Sequence, residues 1–189
     1  MKKSLLGFAI LFASVSAFAQ TWSLDKAHAK LGFEVTHLMV SNVEGSFKTF
    51  DVKVTASKDE FSDAVVELTA DANSIYTDND KRDAHLRSAD FFETEKYPTL
   101  TFKSTSFSKI SDKKYALVGN LTLHGVTKPV TLEATLNGTT VHPYSKKTIA
   151  GFKVTGVIKR SDFSVGKGTP PAVVSDEVTL NANLELIKD

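Results

Sequence analysis

Tyr115-Ala116-Leu117-Val118-Gly119-Asn120-Leu121-Thr122-Leu123-His124-Gly125-Val126-Thr127-Lys128-Pro129-Val130-Thr131-Leu132-Glu133-Ala134-Thr135-Leu136 is the stretch that decides the fold. Tyr115, Leu117, Gly119, Leu121 and Leu123 share one face of the first run, and Val130, Leu132, Ala134 and Leu136 share one face of the second. A period of two marks half-buried β-strands, because successive side chains on a strand point to opposite faces. His124-Gly125 between the runs is a turn signal.

The same alternation extends outward in both directions. Ala29, Leu31, Phe33, Val35 and His37 lie on one face of a first strand, with Lys30, Glu34 and Thr36 on the other. A second segment begins with Val43, Gly45 and Phe47 and continues with Phe50, Val52 and Val54. Its apolar phase slips by one residue, which predicts a β-bulge near Lys48-Thr49, a device that bends a strand around a closed barrel. Val66, Leu68, Ala70 and Ala72 make a third strand, and Leu100, Phe102, Ser104 and Ser106 a fourth. The opening stretch supplies the fifth and sixth. Phe152, Val154, Gly156 and Ile158 make a seventh, and Val178, Leu180, Ala182, Leu184 and Leu186 an eighth. Ser62-Asp63, Ser111-Asp112-Lys113 and Asn137-Gly138 are read as further turns. Asp78–Phe92 breaks the pattern. Asp78 or Asn79 can cap a short helix there, and Arg82, His85, Leu86 and Ala89 recur at helical spacing. Thr169-Pro170-Pro171 marks an irregular loop before the last strand.

Eight strands without crossover helices predict an all-β protein, an eight-stranded antiparallel up-and-down barrel with one short helix between strands three and four. Closure removes sheet edges. Two stacked open sheets are the alternative, and a helix inserted in mid-chain suits a barrel cap better. A barrel of this size either holds one small ligand or fills with its own side chains. Phe33, Phe47, Phe102, Leu117, Leu132 and Phe152 are large, but Gly119, Gly156 and several alanines share their face, a mixture that leaves room for a channel.

Residues 1–19 read as a cleavable secretory signal. Met1-Lys2-Lys3 is cationic, Leu5–Phe12 is apolar, and Ala17-Phe18-Ala19 has the small-x-small form, placing cleavage between Ala19 and Gln20. The apolar run is too short to span a membrane, and no cysteine is present to carry a lipid anchor. Residues 20–189 then form one domain. Lys2 and Lys3 are the only charges lost, so Lys plus Arg fall from 23 to 21 against 22 acidic residues, a net charge of −1. A chain so balanced, with no basic block, excludes nucleic acid as the expected partner. Without cysteine there is no thiol catalysis and no cysteine-ligated metal, and the hydrophobic core alone stabilises an exported fold. The signal has a bacterial form, which predicts the periplasm.

Trp22-Ser-Leu-Asp-Lys-Ala-His28, Phe33-Glu-Val-Thr-His37-Leu38 and Val43-Glu-Gly45-Ser-Phe47 appear in that order. Lys81-Arg82-Asp83-Ala-His85-Leu86-Arg87-Ser88-Ala-Asp90-Phe91-Phe92 and Tyr97-Pro98-Thr-Leu-Thr-Phe102 follow. Gly119-Asn-Leu-Thr-Leu-His124-Gly125-Val-Thr-Lys128-Pro129-Val130 and Arg160-Ser-Asp162-Phe163 complete the set. Order and spacing resemble the YceI-like family of bacterial periplasmic proteins over about residues 20 to 188. Ser164 departs from the family pattern, which has glycine after the Asp-Phe pair. The resemblance implies an extended lipocalin-like barrel around a long polyisoprenoid chain, such as an isoprenoid quinone or its precursor. It also implies homodimers in some members, association with stress responses, and no family-wide enzymatic activity.

The expected ligand-lining set follows from strand phase and from the helix. Phe33, Val35, His37, Phe47, Val66 and Leu68 come from the first three strands, and Phe102, Leu117, Leu121, Leu132, Phe152 and Ile158 from the later ones. Arg82, His85, Leu86, Phe91 and Phe92 come from the helix and its exit, where the phenyl rings plug or gate one barrel end. His37 is in phase with the inward face, either as a satisfied buried histidine or as a polar anchor for a head group. Arg82, Asp83 and His85 are read as a capping network, the alternative being that Arg82 or His85 meets that head group. His28, His124 and His142 lack zinc-ligand spacing, so no metal is expected, and no cofactor beyond the bound lipid. A polyprenyl tail needs a dry, narrow channel and no hydrogen bonds, since each buried CH₂ returns roughly 0.8 kcal/mol. An enzyme acting on such a lipid through His37, His85 or Arg82, and a barrel serving as scaffold for a protein partner, are the rival readings.

Overall fold

The computed structural model describes residues 19–189; the expected export signal, apart from Ala19, lies outside the described residues. The strands are β1 (Gln20–Leu24), β2 (Lys30–His37), β3 (Ser41–Phe47), β4 (Phe50–Ala56), β5 (Val65–Asp71), β6 (Ile75–Tyr76), β7 (Thr99–Ser111), β8 (Lys114–Leu123), β9 (Val126–Val141), β10 (Thr148–Lys159) and β11 (Glu177–Lys188). The helix α1 (Asp80–Arg87) sits between β6 and β7. Every pairing is antiparallel, and β11 meets β1 through Trp22–Lys188 and Leu24–Leu186, which closes the sheet. β11 also pairs with β2, through Leu31–Ala182 and Phe33–Leu180. β1 and β2 are therefore two halves of one barrel stave, and β3 and β4, which pair with β2 and β1, are two halves of the next. With β5 and β7–β11 this makes the eight-stranded barrel that the alternation predicts. No helix of the described residues is long and apolar enough to cross a membrane.

Three features differ from the sequence reading. The first stave begins at Gln20, before the expected Ala29, and is broken at Asp25–Ala29 by a 3₁₀ turn whose Ala27 N–H donates to the Asp25 carboxylate at 2.9 Å. Asn137-Gly138 is not a turn. β9 runs through it to Val141, and Asn137 bulges out between the Leu136–Phe152 and Gly138–Gly151 pairs. The expected irregularity at Lys48-Thr49 is a full break between β3 and β4. Ser74 fills the gap: its carbonyl accepts from Lys48 N at 3.1 Å and its hydroxyl from Thr49 N at 3.0 Å.

One end of the barrel is stoppered. Phe61, in the β4–β5 loop and wholly buried, inserts against Trp22 (ring centroids 4.9 Å) and Phe152 (5.1 Å), with Phe107 and Tyr115 stacked beside them at 4.7 Å. The loop is held by Asp63, whose carboxylate accepts from Ser57 N (3.0 Å), Lys58 N (3.2 Å) and the Ser57 hydroxyl. Tyr115 adds a bond from its hydroxyl to the Glu60 carbonyl at 2.6 Å. The Ser57 hydroxyl, ahead of the opposing effect of burial, holds the Asp63 carboxyl below its ordinary 3.8. A depressed folded-state pKa contributes stability above the unfolded value and loses it as pH falls through the folded one. Acid titration below pH 3.8 is therefore expected to loosen the stopper, and Asp63→Asn to flatten the fall in unfolding free energy with pH in that range, read by urea denaturation at a series of pH values.

Candidate functional site

Above the stopper the bore stays open. A chamber of about 130 Å³ lies between Leu31, Phe47, Val66, Leu68, Phe102 and Leu132, with Leu117, Leu121 and Val154 around it. It narrows downward to a gap of about 30 Å³ at Phe61 and Phe152. Upward it meets a mouth chamber of about 370 Å³, and Phe33, Leu123 and Ile158 border both, forming the neck between them. Apart from Asn181, the inner chamber is lined by apolar residues and glycine.

The wall glycines explain how bulky residues leave space. A Cβ at Gly45 would lie 2.2 Å from the Phe33 ring, one at Gly119 2.4 Å from Phe102, and one at Gly156 2.3 Å from Leu132. Each glycine is thus a recess into which a neighbouring strand's large side chain lies down along the wall. The space that glycine yields is taken by the ring, and the bore gains because the ring does not project into it.

The mouth is apolar with a few placed polar groups. His37, Val35 and Phe33 reach it from β2, Leu86 and His85 from α1, and Phe91 and Phe92 from the segment after it. Phe92 packs edge-on to Phe47 at 5.9 Å and Phe91 edge-on to His85 at 5.1 Å. Asn79 caps α1, its side chain accepting from Arg82 N at 3.0 Å. Asp83 points inward and is buried, accepting from Thr77 N (2.9 Å) and Thr77 Oγ1 (2.5 Å). Arg82 binds the same residue, donating from Nε to Thr77 Oγ1 (2.7 Å) and from Nη2 to the Thr77 carbonyl (2.6 Å). Arg82 thus belongs to the network around Thr77, and it also lines the chamber with Nη1 outside that network. His85 is tied to Asp90 at 3.0 Å near the surface.

Arg160 is the group that sequence reasoning missed. It is 6% exposed, lines the mouth, and spends all five N–H donors on backbone carbonyls. Nε donates to Ser175 O (3.1 Å), Nη1 to Val165 O (3.1 Å) and Gly166 O (2.6 Å), and Nη2 to Thr169 O (2.6 Å) and Val174 O (3.0 Å). The irregular loop between β10 and β11 is wrapped around this one guanidinium, and Val165, Thr169, Val173 and Val174 complete the chamber wall. Thr77 was missed as well. A lone arginine ending a strand and a threonine before a cap carry no periodic signal.

All seventeen residues expected to line the bore border these adjoining chambers, Phe152 only at the narrow foot. Asp25, His28 and Glu185 come within 4.8 Å of one another outside the cavity lining. There His28 and Asp25 pair with each other at 2.9 Å as part of the 3₁₀ cap. The model of the YceI-like domain matches residues 22–186.

The chain belongs to the YceI-like family. It is 44% identical over 190 residues to Protein YceI of Salmonella newport, covering 98% of this chain and 97% of that protein. Among solved structures, the YceI protein of Campylobacter jejuni is 36% identical with a TM-score of 0.74, over 88% of this chain and 96% of that one. BcnA of Burkholderia cenocepacia is 26% identical with a TM-score of 0.77, over 86% and 98%. A domain of Saccharophagus degradans shares the fold at 19% identity and a TM-score of 0.66, over 89% and 98%.

At Ser164 the backbone favours a glycine over the serine present, and nothing in the structure explains the serine. That residue ends the 3₁₀ turn Arg160–Phe163 with φ 59° and ψ 19°, the left-handed region that favours glycine. Ser164→Gly is expected to raise stability by ~0.5–1 kcal/mol, measured as a shift of the urea midpoint without change of slope.

Proposed function

We propose that this protein encloses a long apolar lipid, a polyisoprenoid such as an isoprenoid quinone or its precursor, as a periplasmic carrier or reservoir without catalysis. The observation that carries this reading is the pair of adjoining chambers inside a closed barrel, the outer one wide and partly polar, the inner one lined almost wholly by apolar side chains. The mouth chamber falls in the size range of ordinary ligand sites. The inner chamber admits only a thin chain, and an unsubstituted hydrocarbon tail is the ligand that loses nothing by meeting no hydrogen-bond donor there. Each five-carbon unit drawn through the neck gains about 4 kcal/mol before ordering costs. Arg82 Nη1, His37 and His85 are placed at the mouth to meet a head group that accepts hydrogen bonds, whereas Arg160 has no donor to spare.

The solved Saccharophagus degradans neighbour is described as a polyisoprenoid binding domain implicated in plant cell wall breakdown. At 19% identity it supports the barrel alone, and the support for the ligand comes from the cavity. Asp83, the one buried carboxylate at the mouth, is committed to Thr77, which favours binding over acid–base chemistry. Mass spectrometry of organic extracts of the protein purified from its native host tests the proposal. The expected result is a stoichiometric isoprenoid lipid, and repeated preparations free of any lipid overturn it.

A further inference from the structure

We infer that the β2–β3 turn and the loop preceding β11 form a membrane-docking tip, through which lipid passes between a bilayer and the cavity; this rests on the lipid-binding reading above. Leu38, Met39 and Val40 at the turn are 51%, 77% and 83% exposed. Val40 N closes the turn on His37 O at 3.1 Å, and Leu38 and Met39 between them have φ of 51° and 61°. Two consecutive positive φ values suit Asn-Gly. This chain puts its least soluble side chains there, where they are largely solvent-exposed and strain the backbone. Folding is served by neither property.

The position explains the choice. His37 and Val43, which flank the turn, both line the mouth chamber. Leu38 N donates to Val173 O at 2.9 Å, joining the turn to the second loop, where Pro170, Pro171, Ala172 and Val173 are exposed and Val173 and Val174 also line the chamber. No residue with an ionisable side chain lies between His37 and Glu44, or between Lys167 and Asp176. On this side of the mouth, away from the charged helix α1, the rim is therefore apolar on its outside and adjoins the apolar wall inside. Of the other exposed apolar residues, Ile110, Val141 and Tyr144 sit toward the stoppered end, since β9 leaves Leu123 at the mouth with Val126 and reaches Val141 at its far end, while Val65, Tyr76 and Val157 lie on β5, β6 and β10, outside the two loops.

The occupant is a lipid surface and not a second copy of the chain. The exposed tip amounts to on the order of 500 Å² on two convex turns, against about 800 Å² that each partner of a stable protein interface buries. A convex apolar tip enters the acyl boundary of a bilayer readily. A tail leaving the bilayer beside it reaches the chamber without crossing water.

The test compares wild type with Leu38→Asn/Met39→Gly/Val40→Thr, whose new residues suit the turn, with thermal unfolding as a check on the fold. Both are loaded with a fluorescent polyprenyl lipid from phosphatidylethanolamine/phosphatidylglycerol vesicles and, separately, from detergent micelles. The wild-type rate is expected to rise in proportion to vesicle concentration. The variant is expected to load about tenfold more slowly from vesicles and to the same final occupancy from micelles. Equal vesicle rates for the two proteins, or a rate independent of vesicle concentration, overturn the inference. So does a wild-type dimer, seen in sedimentation equilibrium, that the substitutions dissociate, because a second copy then covers the tip. Wild type loading from micelles alone removes docking and leaves lipid binding standing, whereas loading from neither donor removes both.

Discussion

Ile158→Trp is expected to weaken retention of a long-chain polyprenyl lipid by at least about 100-fold while leaving a short amphiphile bound at the mouth. Ile158 borders both chambers together with Phe33 and Leu123, two staves from each around the barrel, so its side chain helps to set the width of the neck. An indole there closes the passage to the inner 130 Å³ and keeps the tail out of the dry part of the bore. A factor of 100 is about 2.7 kcal/mol, less than the gross burial of one isoprene unit, so loss of a single unit from the inner chamber is enough. Overpacking a buried site costs the fold about 1–3 kcal/mol, which a barrel of this size survives. Competition binding with short and long probes, each checked against the urea midpoint, separates the two effects. An unchanged affinity for the long lipid means that its tail lies elsewhere, and the account of the cavity fails with it.

The barrel was legible because one physical rule does two jobs. On a closed sheet the side chains that alternate inward are both the core and the lining, so the phase of Leu117, Leu121 and Leu123 indicated strand and cavity wall together. The slip between Phe47 and Phe50 was legible for the same reason, since a stave that breaks must exchange its faces. Gln20–Leu24 escaped because five residues beside an apolar leader hold too few periods to stand out, and Asp25 ends the run. Asn137-Gly138 misled because Asn-Gly marks a hairpin only where the flanking strands stop; here β9 and β10 continue to pair beyond it, and the pair serves a bulge. The stopper and the neck were not legible at all. Phe61 leaves no mark of its burial in a polar loop, and the width of the bore depends on rings laid against Gly45 and Gly119 by strands far apart in sequence.

Arg160→Met is the substitution expected to damage the fold most, by about 3 kcal/mol in urea denaturation. The guanidinium is buried without a carboxylate among its five bonds, so its charge is held by five oriented carbonyl dipoles. Methionine restores the volume and none of the donors. Carbonyls of Val165, Gly166, Thr169, Val174 and Ser175 then lose their partner together, and a buried polar group without one costs about 1–3 kcal/mol. Some of these carbonyls turn to water as the loop loosens, which keeps the total near the cost of two. Arg160→Lys is expected to recover little, because an ammonium has three donors and no planar fork to reach both sides of the loop. Amide exchange should rise across Val165–Val174 in both variants while β8 and β9 stay protected. Since Gly166 packs so close to Phe91 that a Cβ there would lie 2.8 Å from the ring, a loosened loop also frees one wall of the mouth. Faster lipid release should accompany the loss of stability. A loss below about 1 kcal/mol, with those amides still protected, would mean that the loop holds its shape through its own prolines and valines and that the arginine is there for its charge.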